Sequence, residues 1–289
     1  MIKKGEFICY YARCELTLWG GRAFWLPLNF CFMRKLLILM AVVACMALPA
    51  VAQEAYKRCV FVNGADTLRY RELVPEKPES GTFPLVVFMH GAGERGIDNE
   101  KQLVHGAQMF LNPVNRKKYP AYVVFPQCPD DGYWAYDKRP DSFEPDAMPI
   151  REEPTKYVKL VRGLVNKYIG EGKIDVNRIY LVGLSMGAMA VYDLAERYPG
   201  MWAAAVPICG SVNPKRLDKA RSVHFSIYHG DADNVVPVEA SRRAYLRLKE
   251  IGASVEYVEF PGCNHGSWNP AFNRPDFMKW LFGNVRRER

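Results

Sequence analysis

Four uninterrupted apolar runs constrain this chain more than any other feature: PLVVFMHG (84–91), AYVVFPQ (121–127), RIYLVGL (178–184) and WAAAVPICG (202–210). Each has the length of a strand, and none alternates polar with apolar residues. A strand with one face in water alternates, so runs like these belong to a sheet buried on both faces, as parallel sheets are. SVHFSIYHG (222–230) and SVEYVEF (254–260) extend the series. Helical stretches lie between the strands. TKYVKLVRGLVNKYIG (155–170) places Tyr157, Leu160, Val161, Leu164, Val165, Tyr168 and Ile169 on one face. MGAMAVYDLAERYPG (186–200) is rich in helix formers and ends on Pro199-Gly200. Two more helices are expected over 238–251 and near 275–286. At the front, KRCVFV (57–62) and TLRYRELV (67–74) flank Asn63-Gly64, a hairpin signal. The expected fold class is α/β: a mostly parallel central sheet with helices on both faces and antiparallel strands at the N-terminal edge.

The N-terminal region has a different character. MRKLLILMAVVACMALPAVA (33–52) joins an Arg-Lys pair to an apolar stretch and ends in Ala50-Val51-Ala52, the layout of a signal peptide with an A-x-A cleavage site. The expected organisation is an upstream extension over 1–32 with Met33 as the true start, a signal peptide over 33–52, and one catalytic domain over 53–289. Export to the periplasm or outside the cell is then expected, with no stable membrane span after cleavage. A lipid anchor at Cys45 is the alternative. Of the +8 formal charge, +4 belongs to residues 1–52 (six Lys/Arg against two Asp/Glu), leaving +4 on the domain. That modest excess, with no basic patch interleaved with aromatics, does not imply nucleic acid. Cys59, Cys128, Cys209 and Cys263 lack C-x-x-C spacing and so indicate no zinc site. Disulfides and free buried thiols both remain open for them.

The chemistry centres on YLVGLSMGAMAVY (180–192). Gly183-Leu184-Ser185-Met186-Gly187 is a G-x-S-x-G pattern between a buried strand and a helix. There a serine on a sharp turn becomes a nucleophile, and flanking glycines let strand and helix approach. The competing reading makes Ser185 a helix N-cap. A nucleophilic serine needs a base, and the base needs an orienting carboxylate. Asp231 and Asp233 come after a strand in HGDADNVVP (229–237), and His265 lies in PGCNHGSW (261–268) after the last strand. Both aspartates are candidates for the acid, though Asp231 is expected to tie down its own turn; the choice of Asp233 comes from a family resemblance. His265 is a candidate base, and of the five histidines it alone comes after these aspartates. His90 and His229, each closing a strand before a glycine, suggest turn roles; His224 suggests a structural one. HGAGERG (90–96) would supply an oxyanion hole, with the amides of Ala92 or Gly93 beside that of Met186. The stretch 133–154 is Pro-rich, acidic and aperiodic. Its Tyr133, Trp134 and Tyr136, and Trp268 after the base, are expected on the rim of a binding cleft, Trp134 and Trp268 as substrate contacts.

Together HGAGERGIDN (90–99), PQCP (126–129), GLSMGA (183–188) and HGDADNVVP resemble the α/β-hydrolase superfamily. Within it they are similar to secreted bacterial carboxylesterases of the predicted-peptidase or phospholipase/carboxylesterase-like kind, which have feruloyl and acetyl esterases as relatives. The resemblance covers roughly 84–270. It implies a serine carboxylesterase acting through an acyl-enzyme, with the triad Ser185, Asp233 and His265. The expected substrate is a small-molecule or polysaccharide-linked ester, including acetyl or feruloyl esters of plant polysaccharide. No metal or organic cofactor is expected. The alternatives are a serine peptidase or amidase of the same fold, and a non-catalytic carbohydrate-binding protein.

Overall fold

A computed structural model describes residues 54–286. The expected upstream extension and signal peptide lie outside the described residues. Eight strands form one sheet in the order β1-β2-β4-β3-β5-β6-β7-β8. They are β1 (Lys57–Asn63), β2 (Asp66–Leu73), β3 (Phe83–Met89), β4 (Tyr122–Pro126), β5 (Ile174–Leu184), β6 (Ala204–Ile208), β7 (His224–Gly230) and β8 (Val255–Phe260). β1 pairs antiparallel with β2, and β2 antiparallel with β4; every other neighbour pair is parallel. The hairpin turn falls one residue later than Asn63-Gly64 suggests. Asn63 pairs with Asp66, so the two-residue loop is Gly64-Ala65, with Gly64 at φ +62°. That positive φ at the first loop position is the conformation only glycine takes without strain.

The helices are α1 (Ala107–Leu111), α2 (Pro113–Lys118), α3 (Lys156–Gly170), α4 (Met186–Arg197), α5 (Glu239–Glu250), α6 (Trp268–Phe272) and α7 (Phe277–Gly283). The non-alternating strands do what their composition demands. In β3, Leu85, Val87 and Met89 point into one core with α3, α4 and α5; Val86 and Phe88 point into another with α1, α6 and α7. All five are fully buried. Each such side chain withdraws apolar area from water worth about 1.5–3 kcal/mol. α1 and α2 have no signature in the sequence, because neither is long enough to display a helical period. Among the described residues, no helix is long and apolar enough to cross a membrane. Cys59, Cys128, Cys209 and Cys263 are all free thiols.

The aperiodic stretch 133–154 is held down along its length. Ser211 Oγ donates to the Phe143 carbonyl at 2.7 Å and Asn213 Nδ2 to that of Met148 at 3.3 Å. Arg197 and Arg216 donate to backbone carbonyls of 151–153 while pairing with the buried carboxylate of Asp193. Tyr133, Trp134, Tyr136, Phe143 and Met148 are buried beneath it. This corrects the expectation for Trp134. It has no exposed surface, its Nε1 donates to the His90 carbonyl at 3.1 Å, and Thr155 Oγ1 donates to the Trp134 carbonyl. Trp134 fastens the segment to the end of β3 instead of lining a rim, and Tyr133 and Tyr136 are likewise core residues. Periodicity could not show this, because a loop anchored by side-chain hydrogen bonds to backbone has none.

Candidate active site

Ser185 stands at the junction of β5 and α4 with φ 53° and ψ −118°. A non-glycine residue there costs on the order of 1–3 kcal/mol and persists only where its surroundings enforce it. Two hydrogen bonds do so: Ser185 N–H donates to Ile208 O at 2.8 Å, and Met189 N–H to Ser185 O at 3.2 Å. The glycines of the motif are required by close approach. A Cβ on Gly183 would lie 2.6 Å from Gly187 O, and one on Gly187 would overlap the Met89 carbonyl. Ser185 occupies the N-cap position of α4, yet its side chain caps nothing. Instead Ser185 Oγ lies 2.9 Å from His265 Nε2, so the side chain serves the imidazole and not the helix.

His265 Nδ1 lies 2.7 Å from Asp233 Oδ2. The loops after β5, β7 and β8 thus converge at the carboxyl ends of parallel strands, where sites in open α/β sheets form. Gly230 is needed for this convergence, since a Cβ there would overlap the Cys263 carbonyl in the loop carrying His265. Burial raises the Asp233 pKa, but four hydrogen bonds outweigh it. Donors from His229 and His265, and the amides of Val236 at 3.0 Å and Val235 at 2.8 Å, hold the carboxyl well below the usual range. Asp233 is therefore a fixed anion facing Nδ1, which places the imidazole's proton on Nδ1 and its lone pair toward Ser185 Oγ.

The structure adds a residue whose sequence context suggests only a turn role. His229 is fully buried, with Nε2 3.1 Å from both Asp233 Oδ2 and Val236 O and Nδ1 2.7 Å from Ser241 Oγ. Both Nε2 partners are acceptors, so Nε2 carries the proton and Nδ1 accepts from Ser241. His229 thus holds the Asp233 carboxylate through Oδ2, the oxygen that also faces His265 Nδ1. Asp231, expected to tie down its own turn, reaches across and accepts from Gly262 N–H at 2.6 Å.

The turn 90–96 packs against the serine: a Cβ on Gly91 would meet Ser185 Cβ at 3.6 Å and Leu184 Cδ1 at 2.8 Å. Its carbonyls are engaged. His90 Nδ1 donates to Gly91 O at 2.6 Å, and Arg95 Nε to Ala92 O at 3.0 Å. His90 Nε2 accepts from Cys128 N–H at 3.0 Å, and burial lowers the His90 pKa to about 4. Neutral His90 therefore bridges β3 and the loop after β4. Arg95 reaches on to the carbonyls of Asp130 and Gly132 at 3.0 and 3.2 Å. Ala92 lies in a short 3₁₀ turn (Ala92–Glu94) beside the start of α4, where Met186 N–H is among the amides without an intrahelical acceptor. The turn also carries Glu94, whose Oε1 lies 3.6 Å from His105 Nε2. Trp268 is half-buried, with its ring 5.6 Å from that of His265 and 5.0 Å from that of His105.

Among the described residues, one group of three metal-type donors lies close together: Cys209, Asp233 and His265, with ligand atoms within 4.8 Å of one another. Two of these are the hydrogen-bonded pair just described. Burial pushes the Cys209 thiol far above its usual range, which makes it a poor ligand.

An activated hydroxyl, an imidazole and a fixed carboxylate in this order can perform acyl transfer. Comparison with known proteins agrees with the fold and the motifs. Residues 72–275 match the phospholipase/carboxylesterase family model. A probable SOBER1-like carboxylesterase of Arabidopsis thaliana is 25% identical over 227 residues, covering 72% of this chain and 82% of that protein. Among solved structures, a thermostable esterase superposes with a TM-score of 0.73 at 33% identity, over 81% of this chain and 64% of the other. A ferulic acid esterase superposes with a TM-score of 0.57 at 15% identity, over 78% and 98%, which speaks to the fold alone. The chain belongs to the phospholipase/carboxylesterase family of α/β-hydrolases.

Proposed function

We propose that this protein is a serine carboxylesterase with Ser185 as nucleophile, His265 as general base and acid, and Asp233 as the residue that orients and stabilises the imidazole. The observation carrying this is the unbroken contact Ser185 Oγ–His265 Nε2 and His265 Nδ1–Asp233 Oδ2, at 2.9 and 2.7 Å, with Ser185 held in a strained elbow. His265 takes the serine proton as Oγ attacks the ester carbonyl and returns it to the departing alcohol. Water then repeats the sequence on the acyl-enzyme. The amides of Met186 and of Ala92 or Gly93 receive the oxyanion; loss of one such donor typically costs about 10²–10³ in rate. Acetyl or feruloyl esters of plant polysaccharide are the narrower reading. It is supported by Trp268 beside the reacting imidazole, while buried Trp134 lends it nothing. Export, through cleavage before Gln53, also belongs to this proposal; N-terminal sequencing of protein recovered outside the cytoplasm tests it.

The decisive experiment is hydrolysis of p-nitrophenyl esters by wild type and Ser185→Ala, with fluorophosphonate labelling alongside. Loss of about 10⁴-fold or more in kcat and loss of the label are expected. A variant within a few-fold of wild type would falsify the assignment. An aminoacyl-p-nitroanilide cleaved faster than p-nitrophenyl acetate would make the protein an amidase instead.

A further inference from the structure

A cleft of about 410 Å³, within the range of small-molecule sites, opens on the same edge of the sheet as Ser185. It lies beyond the carboxyl end of β4, between the β1–β2 hairpin, residues 96–97, the loop 127–131 and the first turn of α3. Only β3 separates β4 from β5, and β2 lies just beyond β4. Two to three strand intervals, about 10–14 Å, therefore separate the cleft from the nucleophile along that edge. One stretch of backbone joins the two. A Cβ on Gly91 would meet Ser185 Cβ at 3.6 Å, and Gly96 lines the cleft; five residues of chain span at most about 18 Å. Gly93, between them, is exposed, and a Cβ on it would meet nothing within 4 Å. The surface from Ser185 to the cleft is thus open there.

The walls are fixed by the protein's own contacts. Gln127 is buried, accepting from Asn99 N–H at 2.7 Å and donating to Asp98 Oδ1 at 2.9 Å. Gly96 N–H donates to Cys128 O at 3.0 Å, and Arg95 clamps the loop through the Asp130 and Gly132 carbonyls. Tyr157 packs so closely on Gly132 that a Cβ there would overlap its ring. Lys156 Nζ lies 3.4 Å from Asp66 Oδ1. Two lining residues are left over. Arg69 and Asp130 are exposed, and among the described residues neither side chain has an ion pair or hydrogen bond.

Those two define the chemistry of what fits. A guanidinium offers only donors and a carboxylate only acceptors. A cation would meet Arg69 and Lys156, and an anion would meet Asp130 and Asp131, so the lining favours a neutral ligand that both donates and accepts. Hydroxyls do both. A hydroxyl-rich ligand on the edge that carries Ser185 can be continuous with the alcohol half of the ester, and an alcohol half that long and that polar is a carbohydrate chain.

We propose that this cleft is a distal carbohydrate subsite, where Arg69 and Asp130 bind the hydroxyls of one sugar unit while an ester on another unit of the same chain reacts at Ser185. The inference rests on the serine-esterase reading above and narrows its substrates to esters borne on oligo- and polysaccharides in preference to single sugars.

Paired substrates that differ only in length test it: an acetylated tetrasaccharide and the acetylated methyl glycoside of the same sugar, in a xylose and a mannose series. In at least one series wild type is expected to favour the tetrasaccharide in kcat/KM by about tenfold, the scale of a hydrogen bond to a charged group. Arg69→Met and, independently, Asp130→Ala should each lower that ratio by about fivefold, mainly by raising KM for the tetrasaccharide. A merely structural role would depress both substrates in parallel and leave the ratio unmoved. A wild type that hydrolyses p-nitrophenyl acetate but shows no length preference in either series overturns the subsite alone, as does a ratio unchanged in both variants. A wild type that cleaves no ester and takes no fluorophosphonate label overturns the serine-esterase reading beneath it.

Discussion

His90 makes the turn 90–96 sensitive to acid, and its surroundings set the size of the effect. The ring is fully buried, with Nδ1–H donating to Gly91 O and Nε2 accepting from Cys128 N–H. Protonating Nε2 would destroy the second bond and bury a charge, which is why the folded-state pKa is lowered to about 4. Unfolded, the imidazole titrates near 6.5. Between these values the unfolded chain binds the extra proton, so stability rises with pH and falls as pH drops through this window. The full loss amounts to about 3 kcal/mol, of which about 2 kcal/mol appears between about pH 7 and pH 5. For a domain of this size that corresponds to roughly 4–8 °C in Tm. Urea unfolding of wild type and His90→Asn at both pH values isolates this contribution. The variant lacks the titrating ring, so its stability should fall by about 2 kcal/mol less across the interval. Parallel losses in the two proteins would refute the reasoning. So would imidazolium nitrogen shifts for His90 in folded protein at about pH 5, a readout that does not depend on the variant folding.

Other expectations arise from single contacts. His229→Leu removes one of four donors to Asp233 and one of its two imidazole partners, so kcat should drop about tenfold with less change in KM. Steady-state kinetics would contradict this if KM alone moved. Asp233→Asn should cost stability at neutral pH. Because the folded carboxyl titrates well below its unfolded value near 3.9, the wild-type advantage is full above that value and fades as pH falls through the folded pKa; paired denaturation curves check the trend. Gly187→Ala places a methyl group on the Met89 carbonyl and should destabilise by several kcal/mol or fail to fold, read by thermal unfolding. Trp134→Phe removes the bond to His90 O and should cost about 1 kcal/mol of stability. It should leave relative rates on aryl and alkyl esters alike, since Trp134 reaches no substrate; a change in acyl preference would restore it to the cleft.

Much of this architecture is legible in the sequence because chemistry and packing coincide at a few residues. The strand runs carry no polar position, so their burial on both faces can be read directly, and Gly183 and Gly187 mark the one place where backbone must touch backbone. Ser185, Asp233 and His265 stand out because each comes after a strand, in the chain order that α/β-hydrolases use. The supporting residues do not. His90 and His229 occupy equivalent sequence contexts, since both end a strand before a glycine. One ties down the turn 90–96 and the other the Asp233 carboxylate because their neighbours in space, Cys128 and Asp233, come from different crossovers. Trp134 is misleading for a related reason. An aromatic in an aperiodic segment has the same composition whether it lines a cleft or plugs one, and only the hydrogen bond from its Nε1 to His90 O distinguishes the two.

These supports share one design. Backbone carbonyls of the turn 90–96 and of the loop carrying Asp233 are occupied by buried or half-buried side chains: Gly91 O by His90, Ala92 O by Arg95, His90 O by Trp134 and Val236 O by His229. Each pairing commits a side-chain donor to a carbonyl that would otherwise compete for the amides and protons the reaction needs. A carbonyl free to rotate into the turn would repel an oxyanion at the distance where an amide should attract it, and repulsion at such range is strong where water is excluded. On the proposed mechanism the outer ring of histidine, arginine and tryptophan acts on the same charge as Ser185, Asp233 and His265, by fixing backbone dipoles before substrate arrives. That is why a variant such as Trp134→Phe should alter stability and leave selectivity untouched: a fully buried indole holds the frame and has no surface to offer an ester.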